Sequence, residues 1–251
     1  MSPAENTQKT HFEQLHDAYE SHYYDKWSMR YRDEFIYGVL WGDLDLNGKD
    51  VAELACGSGH NTEALLKAFP RANVVGFDIS PPACRDYSLR TGMPAHQVDL
   101  MLPLQGNAKF DVVFIIGGLH HCVRGMPQVL ENVGQMLKPG GLFLMQEPNA
   151  GFFLEAARKV WYRNDKMFDA ENEAAIDHDI IFSAAESLFV LKRIKYSGGP
   201  AYFLVLQSMI LRIPRPIKNI ISAPLIATER LWDRLPGRRF HNTFLARWQR
   251  L

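Results

Sequence analysis

Residues 51–65 read VAELACGSGHNTEAL. A short apolar run carries one acid, Glu53, then passes through small residues and two glycines, Gly57 and Gly59, into what reads as a helix start. Glycines at such a turn accept positive φ angles and leave room for another group to come close to the backbone. Working outward, the same strand–turn–helix unit recurs. DVAEL predicts a strand, NTEALLKAF a helix, NVVGFDI a strand, and PPACRDYSLR a helix whose prolines suit a first turn. AHQVDL and FDVVFII follow as strands, MPQVLENVGQMLK as an amphipathic helix stopped by PGG, and GLFLMQE as a fifth strand. Short apolar strands alternating with helices predict an α/β fold: a doubly wound, mostly parallel, seven-stranded sheet with helices on both faces.

The flanks add to this core. Aromatics at helical spacing between residues 11 and 41 predict two helices broken near YYDKWS, so residues 1–45 are expected to form an N-terminal helical cap. Residues 46–150 hold the repeating units, and 151–251 are read as an insert, a lid and the final strands of the same domain. Within that last part FFLEAARKVWYR reads as a helix, NDKMFDAENEAAIDHDIIF as an acidic connector with the DHD at 177–179 in solvent, and FVLKRIKYSGG and RFHNTFLARWQRL as strands. YFLVLQSMILRI is apolar but too short to span a bilayer, which takes about 20 residues. A stretch with prolines at 214, 216 and 224 follows it.

Composition narrows the function classes. Apolar residues are 47% and charged residues 22%, enough for one sizeable core. Three cysteines, Cys56, Cys84 and Cys122, lack paired spacing, which argues against a disulfide framework or a zinc site and for a reducing, cytoplasmic compartment. The polar N-terminus does not read as a secretory signal. Net charge is zero but uneven: from Met209 onward there are nine Lys/Arg against two Asp/Glu, whereas residues 1–208 hold 19 against 26. A basic tail on an acidic body leaves two readings, a tail folded onto the body or one facing an anionic surface.

The glycine turn needs a ligand that its neighbours define. GSGHNT departs from the dinucleotide fingerprint because Thr62 stands at the third small position, and no Gly-Lys-Ser/Thr follows for a P-loop. Asp78 ends the second strand about 20 residues on, where a carboxylate suits two ribose hydroxyls. Asp99 ends the third strand, in reach of an adenine amino group, and Glu53 is expected to point to the same crevice. With no lysine or arginine nearby in sequence, this describes a nucleoside site without phosphates.

The set of motifs resembles the class I S-adenosylmethionine-dependent methyltransferases. VAELACGSGHNT resembles the family's first motif, GFDIS its ribose-binding acid, VDL its adenine-side acid, FDVVFIIGGLHHC its fourth-strand motif, and MLKPGGLFLMQEPN its fifth-strand motif. Glu53 stands where many members carry Asp. The resemblance implies a Rossmann-like methyltransferase fold and S-adenosylmethionine as cofactor. It implies a floor of Ala55, Gly57 and Gly59, with Asn61 at the helix start, and Glu53 orienting the cofactor's amino group directly or through water. It further implies Asp78 on the ribose, Ile79, Asp99 and Leu100 around the adenine, and Ile116 at the methionine end.

For the acceptor, GGLHHC sets His120 and His121 beyond the fourth strand, and QEPN sets Glu147 at the end of the fifth. Any of the three is a candidate base, since an oxygen acceptor must lose a proton; the histidines are alternatively packing residues. No DPPY-type sequence is present, which disfavours an adenine or exocyclic-amine acceptor. The reading is O-methylation of a small-molecule, glycan or lipid-linked acceptor. An N- or C-methyltransferase, a tRNA or protein methyltransferase, and a non-catalytic cofactor-binding subunit are the alternatives. Tyr23, Tyr24, Trp27, Tyr31 and Arg32 are candidates to line the acceptor pocket or to be core. Residues 200–235 are candidates for a lid, a peripheral contact with the inner membrane surface, or packing against the sheet or a second subunit. Nucleic acid is disfavoured by the acidic body. A monomer or homodimer is expected, and no metal site is, because adjacent histidines do not readily share an ion.

Overall fold

A computed structural model of the chain describes residues 23–104, 110–164 and 174–251. Contacts divide it into two compact units, one of residues up to Ile36 with Gly198–Pro236, the other of Tyr37–Ser197 with Gly237–Leu251. These bounds cut the chain differently from the expected breaks after residues 45 and 150. The first of the expected cap helices falls largely outside the described residues, as does 165–173 of the acidic connector.

The larger unit is built on seven strands: β1 (Asp50–Leu54), β2 (Asn73–Asp78), β3 (Ala95–Gln97), β4 (Phe110–Ile116), β5 (Leu137–Pro148), β6 (Phe189–Ser197) and β7 (Thr243–Arg250). Their order is β3-β2-β1-β4-β5-β7-β6. The first five run parallel, and β7 enters antiparallel between β5 and β6. Val51, Ala52, Leu54, Val112, Val113, Phe114 and Ile115 are all buried, as expected of strands covered on both faces. Strand order reverses between β1 and β4, so their carboxyl ends frame a crevice.

Helices α2 (His60–Ala68), α3 (Pro81–Thr91), α4 (Met126–Met136), α5 (Glu155–Asn164) and α6 (His178–Ala185) belong to this unit. On α4, Met126, Val129, Leu130, Val133 and Met136 recur at helical spacing and enter the same core as Phe143, Phe189 and Trp248. The DHD segment is not a solvated connector. Asp177 caps α6, and His178 is buried, accepting a hydrogen bond from Trp248 Nε1 at 3.1 Å. Burial, ahead of the attraction of Asp179, lowers the His178 pKa, which keeps the ring neutral.

The smaller unit holds α1 (Lys26–Arg32) and α7 (Arg215–Trp232). Asp25 caps α1 by accepting from the amides of Trp27 and Ser28 at 3.0 and 2.8 Å. Its other carboxylate oxygen lies 2.8 Å from the ammonium of Lys218, a fully buried lysine that also donates to Ser28 Oγ. Glu229, equally buried, accepts from the amides of Gly199 and Ala201 and from the Tyr31 hydroxyl. Tyr31 is therefore internal to this unit, as is Tyr23, which donates to Gln207. Arg32 is buried over the Tyr24 ring at 4.8 Å. The proline-bearing stretch is helical: Pro214 and Pro216 stand at the start of α7, where a missing N–H costs nothing. Pro224 lies inside it. No described helix is long and apolar enough to cross a membrane.

Candidate functional site

Three loops meet at the carboxyl ends of β1, β2 and β4. After β1 the backbone turns through positive φ at Ala55 (49°), Gly57 (51°) and Gly59 (87°) before α2 begins. A Cβ on Gly57, or on Gly117 after β4, would meet nothing within 4 Å, so backbone there borders open space. Gly118 is the opposite case: a Cβ would sit 2.6 Å from that of Ala55, which lets the two loops close on each other. The result is an amide-lined floor.

Asp78 stands at its edge. One carboxylate oxygen accepts from the Gly57 amide and the other from the Ser80 amide, each at 2.9 Å. Each oxygen keeps a lone pair for a further donor, as paired ribose hydroxyls would supply. Ile79 follows with 61% of its surface exposed. Asp99 lies in a turn two residues past β3 rather than within the strand, accepting from the Met101 amide, and Leu100 beside it is buried. Ile116 ends β4, and its neighbour Gly117 donates to the Gln146 carbonyl. Arg90 does reach this region, but its Nε is spent on the Ser58 carbonyl at 2.9 Å.

Glu53 and Asn61 are hydrogen-bonded to each other. Glu53 is buried, and its two oxygens accept from Asn61 Nδ2 at 2.9 Å and Thr62 Oγ1 at 2.5 Å. Asn61 accepts in turn from the Tyr37 hydroxyl, and Thr62 shares a hydrogen bond with the Tyr87 hydroxyl. These five side chains tie β1 to the first turn of α2 and, through Tyr87 and Tyr37, to the neighbouring segments. Gly76 admits the Tyr87 ring: a Cβ there would lie 2.8 Å from both that ring and Cys56 Sγ. Thr62, Tyr87 and Tyr37 carried no sequence signal, since their partners lie on separate elements.

Burial, opposed by the hydrogen bonds from Thr62 and Asn61, pushes the Glu53 pKa up to about 7. A group whose folded pKa lies above its ordinary 4.5 stabilises the fold below pH 4.5, and that contribution is lost as pH rises to about 7. Glu53→Gln is expected to flatten stability against pH across this window, by roughly 3 kcal/mol at about 1.4 kcal/mol per unit. Denaturant midpoints at pH 4.5 and pH 7.5 for both proteins check it. An unchanged slope would show that Glu53 titrates normally.

On the other side of the crevice, Glu147 is buried at the end of β5. It accepts from the amides of Gly118, Leu119 and His120 at 3.0, 2.7 and 3.3 Å, and its Oε2 meets His120 Nδ1 at 2.8 Å. A buried carboxylate with this many donors is not placed to take a proton from an incoming molecule, so Glu147 is removed as a base candidate. It instead fixes the turn Leu119–His121 and the His120 ring. With Nδ1–H donated to Glu147, Nε2 on the far side of the ring carries the lone pair. His121 is exposed, its ring 4.1 Å from that of His120. Among the described residues no group of three or more His, Cys, Asp or Glu is arranged to hold a metal ion.

Compared with known proteins, residues 52–143 match the model of a methyltransferase domain. The phthiotriol/phenolphthiotriol dimycocerosates methyltransferase of Mycobacterium leprae is 31% identical over 110 residues, 42% of this chain and 40% of that protein. The fatty-acid O-methyltransferase of Mycolicibacterium smegmatis is 25% identical over 172 residues, 66% of this chain and 61% of that one. The chain thus spans between two fifths and about three fifths of the length of these relatives. The crystal structure of N-methyltransferase NodS from Bradyrhizobium japonicum, in complex with S-adenosylhomocysteine, shares the fold with a TM-score of 0.56 at 13% identity, covering 90% of this chain and 88% of that one. Residues 52–143 thus carry a methyltransferase domain, and together these matches support a class I S-adenosylmethionine-dependent methyltransferase.

Proposed function

We propose that the chain methylates a hydroxyl on a lipid-type acceptor, using S-adenosylmethionine. The observation that carries the reading is the His120–Glu147 pair beside an amide-lined floor edged by Asp78. The floor fits the cofactor, because the space over Gly57 and Gly117 is open and Asp78 retains two acceptor positions. Gly57, Gly59 and Ala55 would underlie the methionine part, Asp78 would take the ribose hydroxyls, and Ile79, Asp99 and Leu100 would border the adenine. When bound, the cofactor supplies an electrophilic methyl group on a sulfonium.

The chain's own task is placement and proton removal. Glu147 holds Nδ1 of His120, which would leave Nε2 to accept the proton of an acceptor hydroxyl. The imidazolium then formed is stabilised by the carboxylate behind it. Alignment of the two reactants provides much of the remaining acceleration. Glu53 and Asn61 act as positioning residues for the turn, not on the cofactor's amino group directly.

Support for an apolar acceptor comes from the same edge of the sheet. Phe153 after β5 and Phe240 before β7 are both exposed, with ring centroids 6.5 Å apart. Asn149 binds these two loops together, donating to the carbonyls of Arg238 and His241 at 2.7 and 2.8 Å. The two mycobacterial relatives are named for lipid acceptors.

The test is transfer of labelled methyl from S-adenosylmethionine into cell extract separated into lipid, glycan, small-molecule, RNA and protein fractions. Label is expected in the lipid fraction, and Asp78→Ala should remove it by raising the Kd for the cofactor at least about tenfold, for loss of two hydrogen bonds to a carboxylate. Label confined to RNA or protein would overturn the acceptor and leave the cofactor site standing. Cofactor binding without transfer to any fraction would point to a binding subunit.

A further inference from the structure

Helix α7 has its faces reversed. Its buried residues are Lys218, Ser222, Ile226 and Glu229, three of them polar. Its outward row is Ile217, Ile220, Pro224, Ala227 and Leu231, alternating three and four apart. Ile217 is 49% exposed, Ile220 77% and Leu231 64%. One exposed isoleucine is ordinary, but this row runs for about 21 Å along a single stripe at 1.5 Å per residue.

The charges beside it are basic. Arg212 and Arg215 lie at one end and Arg230 and Arg234 at the other, all exposed. The acids of the same segment are Glu229, buried on backbone amides, and Asp233, half-buried. Glu34 answers Arg230.

We propose that α7 docks the protein on an anionic lipid bilayer, with Ile217, Ile220 and Leu231 entering the headgroup–acyl boundary and Arg215 and Arg234 meeting lipid phosphates. An amphipathic helix with an apolar face and flanking cations is the form such contacts take. Charge decides between this occupant and a second copy of the chain. Two α7 stripes packed antiparallel about a two-fold axis would bring Arg215 of each toward Arg234 of the other, and like charges set opposite one another are unfavourable. A bilayer bearing anionic headgroups satisfies both ends at once. The proposal stands whether or not the acceptor reading holds, because membrane binding and methyl transfer are read separately.

The experiment is flotation of the full chain with phosphatidylcholine vesicles containing about 30% phosphatidylglycerol, at about 0.1 M salt, where surface charges still act over roughly 10 Å. The wild type is expected to float. Ile220→Glu/Leu231→Glu should lower its partition coefficient at least about tenfold, by losing apolar insertion. Arg215→Glu/Arg234→Glu should lower it similarly on anionic vesicles, with little change on pure phosphatidylcholine. Both pairs are exposed, and hydrogen-exchange protection across α7 reports that the unit carrying them is folded in each variant. A wild type that stays at the bottom of the gradient would overturn the proposal, as would variants that float equally. So would a wild-type dimer in sedimentation that the Ile220→Glu/Leu231→Glu pair splits without any flotation, since the stripe would then be a protein interface.

Discussion

His120→Ala is expected to lower kcat for methyl transfer by about 10²- to 10⁴-fold, the range for removal of a positioned base. Cofactor affinity should stay within about twofold, because His120 is engaged by Glu147 and not by the floor beneath the cofactor. Glu147→Gln separates positioning from proton transfer. The substituted amide keeps one acceptor oxygen but turns N–H groups toward a site occupied by three backbone donors and Nδ1 of His120. Buried donors left without an acceptor cost about 1–3 kcal/mol each, so this variant should lose stability as well as kcat. His120→Ala should lose kcat almost alone. Single-turnover rates, cofactor titrations and denaturant midpoints on the two variants distinguish the outcomes. A His120→Ala enzyme within tenfold of wild type would leave the ring a packing group.

Asp25→Ala should be the most destabilising single change in the smaller unit. Lys218 is fully buried, and burial, opposed by Asp25, lowers its pKa. Taking away its carboxylate strands the ammonium in a medium that does not solvate it, at a cost of about 3–5 kcal/mol. The cap of α1 goes with it, for about 1 kcal/mol more. The double variant Asp25→Ala/Lys218→Met should recover most of the first part, because a buried apolar chain of similar volume needs no counter-charge. Hydrogen-exchange protection across α1 and α7 measures both. If the double variant is no more protected than Asp25→Ala, the loss comes from the cap and not from the lysine.

The sheet was legible in the sequence because most strands of the core are short apolar runs closed by Gly, Pro or Asp. The carboxyl end of each run therefore marks a place on one edge of the sheet. Asp78 could be placed by that logic alone, and its pairing with the Gly57 amide agrees with the spacing. Glu53 could not. It shows the same acid-in-a-strand pattern, but its direction is set by Asn61 and Thr62 of α2, with the Tyr87 hydroxyl of α3 holding Thr62 in turn. Glu147 was misread for a related reason. Seeing it as a clamp requires knowing that β5 lies beside β4, so that Gln146 pairs with Ile116 and the next residue faces the turn. The stretch with prolines at 214, 216 and 224 carried no assigned element, and two of them sit where a helix tolerates them best. His178 looked solvated between two aspartates, and only the ring of Trp248, 70 residues on, shows why it is buried.

The antiparallel entry of β7 between β5 and β6 has a consequence for how the chain acquires its shape. Both neighbours precede it in sequence, and among the described residues β6 bonds to no strand except β7. The 45 residues from Gly198 to Asn242 separate β6 from β7, and most of them form the other unit. Closing a loop of that length carries an entropy that a local hairpin escapes, and contacts so distant in sequence slow folding. The smaller unit can shorten that search if it forms first, since its own segment then spans fewer free residues when β7 looks for its slot. On this view α7 is also a timing element: a lesion such as Asp25→Ala would leave β5 and β6 waiting longer as unpaired edges, and aggregation during synthesis would add to the weakened native state.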